Sequence, residues 1–170
     1  MKMTHMDSII TQHLDPDQVH FLFITGTKSD IYGFKNERAV FSRTVDRLRK
    51  EGKTVTTAMC KTKDKLISAL QNVTKEEQLV MFYSGDGKVD QLTLDNDDTY
   101  LISDIAAEHP GGILFTSSAS PFSNSIKNFT LIGERRGIIY DTRSKVLTGV
   151  FADVFSIEDE RDVCYRVKSY

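Results

Sequence analysis

Two short polar segments hold the residue types that could do chemistry. In residues 83–87 an aspartate stands between two glycines, directly after an apolar run, and residues 84–87 are predicted to form a turn. Residues 116–120 carry a run of hydroxyls after another apolar run. A serine hydroxyl becomes a useful nucleophile when a base takes its proton, and histidine suits that role because its pKa lies near neutrality. Asp86, with an ordinary pKa near about 4, is a weak base for Ser118.

Strand and helix signals alternate along the chain and position these two segments. Apolar or β-branched runs predict strands at residues 21–26, 54–59, 79–83, 113–116, 129–132, 137–140 and 163–167. Apolar residues at helical spacing predict helices at residues 36–50, 64–73, 103–109 and 150–155, and a small hairpin is predicted around residues 89–94. This alternation predicts an α/β fold with a mainly parallel central sheet and helices on both faces. Ligands bind at the carboxyl ends of such strands, which are the ends that both polar segments follow.

Composition predicts one soluble domain. The chain has 170 residues, and we expect residues 1–18 to be a lead-in and residues 19–170 to form the domain. A net charge of -2 argues against broad binding to nucleic acid or an anionic membrane. The apolar runs are too short to span a bilayer, and the two cysteines fit a reducing compartment, so we expect a cytoplasmic protein.

No cofactor or metal is expected. A glycine-rich phosphate loop does not follow any predicted strand. The acidic residues 95–98 lack the glycine and the distal glutamate of a calcium-binding loop. His109 ends a predicted helix, where a positive charge suits the helix dipole, and His20 is expected at the amino-terminal edge of the first strand.

The two strand ends resemble those of caspase-like cysteine peptidases, most closely the metacaspase and bacterial caspase-like branch. Residues 82–87 look like the Tyr-Ser-Gly-His-Gly of that family, whose histidine is the general base. Residues 113–120 fall where the family has Asp-Ala-Cys-x-Ser-Gly, whose cysteine is the nucleophile. Weaker similarities at residues 33–39 and 148–152 follow in the family's order. The resemblance therefore implies a caspase-like three-layer sandwich.

The three positions that carry the family's chemistry are all replaced. Asp86 occupies the position of the base, Ser118 that of the nucleophile, and Thr116 that of an acid that helps to bind a basic substrate side chain. The resemblance therefore implies a pseudo-peptidase with no catalytic residues, acting as a protein-binding or regulatory module. Its partner would be an active caspase-like peptidase, a second copy of the chain or an unrelated protein, and the sequence does not choose among these. The binding-groove candidates are Ser84, Gly85, Asp86, Gly87, Thr116, Ser117, Ser118, Ala119 and Ser120.

Other hypotheses stay open. The chain could be a peptidase or esterase that uses Ser118 as nucleophile with Asp86 or His109 in support. A small-ligand binder of the doubly wound class is a lesser alternative. Some members of the resembling family form dimers through their final strand, and the corresponding candidates for a homodimer here are Val163, Cys164, Tyr165, Arg166 and Val167.

Overall fold

The computed structural model describes residues 10–12, 14–26, 34–88, 90–95, 98–116, 126 and 128–133, and of residues 34–40, 86, 88, 132 and 133 it describes the backbone alone. The elements follow in chain order as β1 (Val19–Thr25), α1 (Phe34–Lys50), β2 (Thr54–Met59), α2 (Lys63–Leu70), β3 (Gln78–Ser84), β4 (Asp86–Lys88), β5 (Gln91–Thr93), β6 (Thr99–Leu101), α3 (Ile102–Glu108), β7 (Ile113–Thr116) and β8 (Thr130–Gly133). None of the helices in these ranges is long and apolar enough to cross a membrane.

A five-stranded sheet forms the centre of the fold, with strand order β2-β1-β3-β7-β8. Every pair of neighbours in it is parallel. This 2-1-3-4-5 order, counting only the strands of this sheet, is one of the two common doubly wound arrangements. The parallel α/β architecture that the sequence predicts is therefore confirmed for the described residues.

Alternating side chains of the strands pack on opposite faces of the sheet. On one face Phe82 stacks between Phe23 and Phe115, with ring centroids 4.5 and 4.8 Å away, and Phe41 of α1 meets Phe23 edge-on. On the other face the strands pack against apolar residues of α2, α3 and the small sheet. Helices thus cover both faces, which gives three layers.

A three-stranded antiparallel sheet, in the order β4-β5-β6, follows β3 directly. The sequence predicts a hairpin here but places Asp86 and Gly87 in a turn, and that placement is wrong. Only Gly85 bends the chain, and Asp86 already pairs with Thr93 across the ladder. Backbone hydrogen bonding therefore extends almost without interruption from β3 into the small sheet.

The second half of the predicted lead-in contacts the core. Ile10 is buried in the same cluster as the phenylalanine stack, and Leu14 packs against that cluster. Pro16 begins a short 3₁₀ helix, Pro16–Gln18, whose N-cap Asp15 accepts a hydrogen bond from the Asp17 amide. The predicted strands at 137–140 and 163–167 and the predicted helix at 150–155 lie outside the described residues.

Candidate functional site

The carboxyl ends of β3 and β7 lie side by side. These strands are parallel neighbours, and their register pairs Tyr83 with Thr116. The carboxyl ends of the two strands therefore lie at the same edge of the sheet, about 4.8 Å apart in the direction of the hydrogen bonds. Ser84 and Thr116 are both buried at this edge. The sequence prediction that these two strand ends share one edge is confirmed as far as Thr116.

Tyr83 explains the glycine that follows it. The Tyr83 ring is fully buried, and its hydroxyl donates a 3.0 Å hydrogen bond to the Thr93 carbonyl. A Cβ added to Gly85 would lie 2.6 Å from the Tyr83 Oη, and one added to Gly26 would lie 2.3 Å from it. Gly85 is therefore required by close packing against this ring. Its role as a turn residue, which the sequence suggests, is secondary.

The remaining groove candidates divide into described and undescribed residues. The backbone of Asp86 lies in β4, and Gly87 is half-buried beside it. Thr116 is 1% exposed, so at the position that the resemblance assigns to a specificity acid there is a buried, uncharged residue. Ser117, Ser118, Ala119 and Ser120 lie outside the described residues, as do the dimer-strand candidates at 163–167.

His109 lies at the opposite edge of the sheet from these strand ends. It follows α3 and precedes β7, and its carbonyl accepts a 3.0 Å hydrogen bond from the Gly112 amide at the amino end of that strand. Burial lowers the pKa of His109, and the nearby charge of Glu108 raises it by less. The positive charge expected at this helix end is therefore disfavoured, and His109 lies at the other edge of the described sheet from the end of β3.

A partly buried polar network at the amino edge was missed by sequence reasoning. The Nε2 atom of His20 lies 2.7 Å from the Thr56 Oγ1, and its Nδ1 atom lies 3.1 Å from each carboxylate oxygen of Glu77. Because a carboxylate only accepts, Nδ1 carries a proton, and Nε2 shares the second hydrogen bond with the Thr56 hydroxyl. The partners stand 36 and 57 residues from His20, so no local pattern signals them.

This network is structural in our interpretation. The hydroxyl of Thr56, the imidazole of His20 and the carboxylate of Glu77 follow one another as nucleophile, base and orienting acid do in a catalytic triad. His20 is however only 4% exposed within β1, and both ring nitrogens are satisfied by protein groups. The Thr74 amide also donates to Oε1 of Glu77, at 2.9 Å, which further fixes the carboxylate. The network therefore ties β1, β2 and the turn before β3 together.

Two cavities lie beside β2. The first, of about 390 Å³, separates α1 from β2, and Phe23, Phe41 and Val45 contribute to its lining. The second, of about 520 Å³, lies between the end of β2 and α2 and includes Cys60. Burial raises the pKa of Cys60 to about 11, and Lys65 opposes this weakly. Within the described part of the chain, no group of three or more metal-ligating side chains is close enough to hold an ion.

The fold and the site define an α/β protein whose two neighbouring central strands end in short polar segments. No protein-family model matches this chain, and a search of curated proteins also finds no match.

Proposed function

We propose that this chain is a catalytically inactive caspase-like domain that works as a protein-binding or regulatory module in the cytoplasm. The observation that carries the proposal is the pairing of Tyr83 with Thr116. It makes β3 and β7 neighbours, so Asp86 and Ser118 each follow the end of one of two adjacent strands by two residues. These are the positions that the resemblance assigns to base and nucleophile.

The distribution of histidines supports the absence of peptidase chemistry. In the described ranges the histidines are His20 and His109, and both lie at the amino edge of the sheet. From Leu79, beside the amino end of β7, to Asp86 the chain advances by seven residues, roughly 20 Å in extended conformation. An imidazole at the amino edge is therefore out of hydrogen-bonding reach of a group at the carboxyl edge.

Within the described residues, the ends of β3 and β7 carry neither a cysteine nor a histidine, which fits binding without cleavage. Ser84 and Thr116 are uncharged and buried, and the Tyr83–Gly85 contact holds the bend that follows β3. The partner in this proposal is an active caspase-like peptidase or a second copy of the chain, and no cofactor is required.

The test restores both chemical positions at once. Asp86→His and Ser118→Cys are combined in one protein, which is assayed on an unbiased peptide library beside the wild type. The matched control carries Asp86→His with Ser118→Ala, which has the new imidazole but no nucleophile. Cleavage by the first variant alone supports a silenced peptidase. If the variant with Ser118→Cys and the wild type both fail to cut although both remain folded, the proposed groove is absent. Cleavage by the wild type overturns the assignment of this domain as catalytically inactive.

The competing hypothesis is a peptidase or esterase that uses Ser118 as nucleophile with Asp86 or His109 in support. It predicts that a fluorophosphonate probe labels folded wild-type protein at Ser118 and that Ser118→Ala removes the label. His109 lies at the amino edge of the described sheet, which favours Asp86 as the supporting group. Absence of label in folded protein would remove the hypothesis.

Association through residues 163–167 stays a prediction. A purely monomeric mass by light scattering at high micromolar concentration would count against it.

A further inference from the structure

β2 is an edge strand of the described sheet, with β1 as its neighbour on one side. The Cys60 amide, directly after β2, donates to the Thr25 carbonyl of β1 at 2.9 Å. Backbone groups of successive strand residues point to alternate sides. The amides and carbonyls of Val55, Thr57 and Met59 therefore point away from β1, along the outer side of β2.

Among the described residues, no strand pairs with the outer side of β2. Thr57 is exposed, and Met59 is 51% exposed. Proteins usually protect an edge strand with charges, proline or a bulge. β2 has the sequence TVTTAM, which contains neither a charge nor a proline, and its register with β1 runs without interruption from Thr54 to Met59. This edge is thus a template for a further strand.

A cavity lies beside this edge. Its apolar lining comes from the buried side chains of Phe23, Phe41 and Val45, and Thr57 and Met59 border it from β2. A strand added to β2 would direct alternate side chains toward the α1 face, where this cavity of about 390 Å³ lies. Backbone pairing would supply affinity, and the cavity would select an apolar side chain.

Basic residues stand at both ends of the edge. Lys53 precedes β2 and Lys61 follows it. Antiparallel pairing of two copies centred on Thr57 would place Lys53 of one copy opposite Lys61 of the other, and like charges directly opposite destabilise such a pair. A partner with acidic residues at both ends has the complementary charge.

We propose that the outer edge of β2 binds an extended segment of a partner protein as an additional strand, with an apolar and β-branched middle and acidic flanks. This site lies on the lateral edge of the sheet, away from the ends of β3 and β7. It therefore does not depend on the caspase-like assignment, and the library assay on the Asp86→His and Ser118→Cys protein fails or succeeds independently of it.

The test uses the full chain and a fluorescein-labelled probe of sequence Asp-Glu-Thr-Val-Leu-Val-Thr-Glu-Asp, with versions that carry Phe, Met or Val in place of Leu. Fluorescence polarisation measures binding. Thr57→Pro removes one outward amide and leaves the amides that face β1, so it should weaken binding by about tenfold or more. Thr57→Val keeps the amide and the β-propensity, and it should bind as the wild type does.

A second pair of variants tests the charges without touching the strand. A protein with both Lys53→Glu and Lys61→Glu should bind the acidic probe more weakly than the wild type does. It should bind a probe with lysine at the four flanking positions more tightly. Failure of all four acidic probes to bind the wild type, or equal binding by Thr57→Pro and Thr57→Val, overturns the proposal. A wild-type dimer that Thr57→Pro makes monomeric would also overturn it, because a second copy would then occupy the edge.

Discussion

Glu77→Gln separates the charge of the His20 network from its hydrogen bonds. In the wild type the Glu77 Oε1 accepts from the Thr74 amide at 2.9 Å and lies 3.1 Å from His20 Nδ1. A glutamine can keep both contacts through its single carbonyl oxygen, but it carries no charge. Hydrogen bonds to charged groups contribute about 1.5–3 kcal/mol and neutral ones about 0.5–1.5 kcal/mol. We therefore expect Glu77→Gln to cost about 1 kcal/mol in free energy of unfolding near neutral pH.

The pH dependence provides the sharper measurement. Burial alone would raise the pKa of Glu77, but the Thr74 and His20 contacts outweigh it and hold the pKa below the usual 4.5. Because the folded pKa is the lower one, this stabilisation is fully present above about pH 4.5 and is lost as the pH falls through the folded pKa. The difference between Glu77→Gln and wild type should thus shrink toward zero in acid.

Urea denaturation followed by circular dichroism, near pH 7 and in steps down to about pH 3, measures this difference. Subtracting the unfolding free energy of the variant from that of the wild type cancels the contributions of groups far from the network, because those contributions are the same in both proteins. Glu77→Ala is the matched control, because it leaves the buried Nδ1–H of His20 without an acceptor and should cost about 1–3 kcal/mol at every pH. A difference between Glu77→Gln and wild type that stays constant across the range would refute the reasoning.

Three further predictions concern single buried groups. Burial lowers the pKa of His109 below 6.5, so the free energy of unfolding that depends on neutral His109 is fully present above about pH 6.5 and is lost as the pH falls through the folded pKa. His109→Asn should reduce the slope of the unfolding free energy against pH in this range, and an unchanged slope would contradict the assignment. The buried Cys60 thiol, with a pKa of about 11, should resist iodoacetamide at pH 8 in a Cys164→Ser protein until urea unfolds it, whereas rapid modification of the folded protein would show that the thiol is accessible. Gly85→Ala should lower stability by about 1–3 kcal/mol through overpacking, and by less when Tyr83→Leu removes the ring; equal costs in the two backgrounds would exclude the contact as the cause.

Local sequence patterns predict most of the central elements. β2 has the predicted bounds, Thr54–Met59, because a threonine- and valine-rich run is flanked by residues that do not continue it. α1 begins two residues before the predicted residue 36 and ends at the predicted Lys50, since Gly52 adopts a positive φ just beyond it. The face of α1 is also confirmed, because Phe41, Val45 and Leu48 are all buried in one cluster.

Long-range arrangement is what the sequence does not predict. The position of β1 between β2 and β3 follows from packing of whole elements, and it leaves no local trace. The individual strands of the small sheet are also not predicted by the sequence, because strands of three residues carry too few side chains for an alternating pattern. The same reason hides the His20 network, whose three members become neighbours only when β1, β2 and β3 assemble.

The contact between Tyr83 and Gly85 changes how the resemblance to caspase-like peptidases should be weighed. A tyrosine buried at the end of β3 needs a glycine two residues later, because any side chain there would meet its ring. This requirement holds whether or not the strand end performs chemistry. Within residues 83–87, the resemblance to a peptidase site therefore depends on the residue type at position 86, because the glycine at position 85 has a packing reason of its own. If packing alone maintains the ends of β3 and β7, Asp86→His and Ser118→Cys need no further change in the residues around them. Failure of the double variant to cut could then not be attributed to a missing third substitution, and this makes it a demanding test of the proposed function.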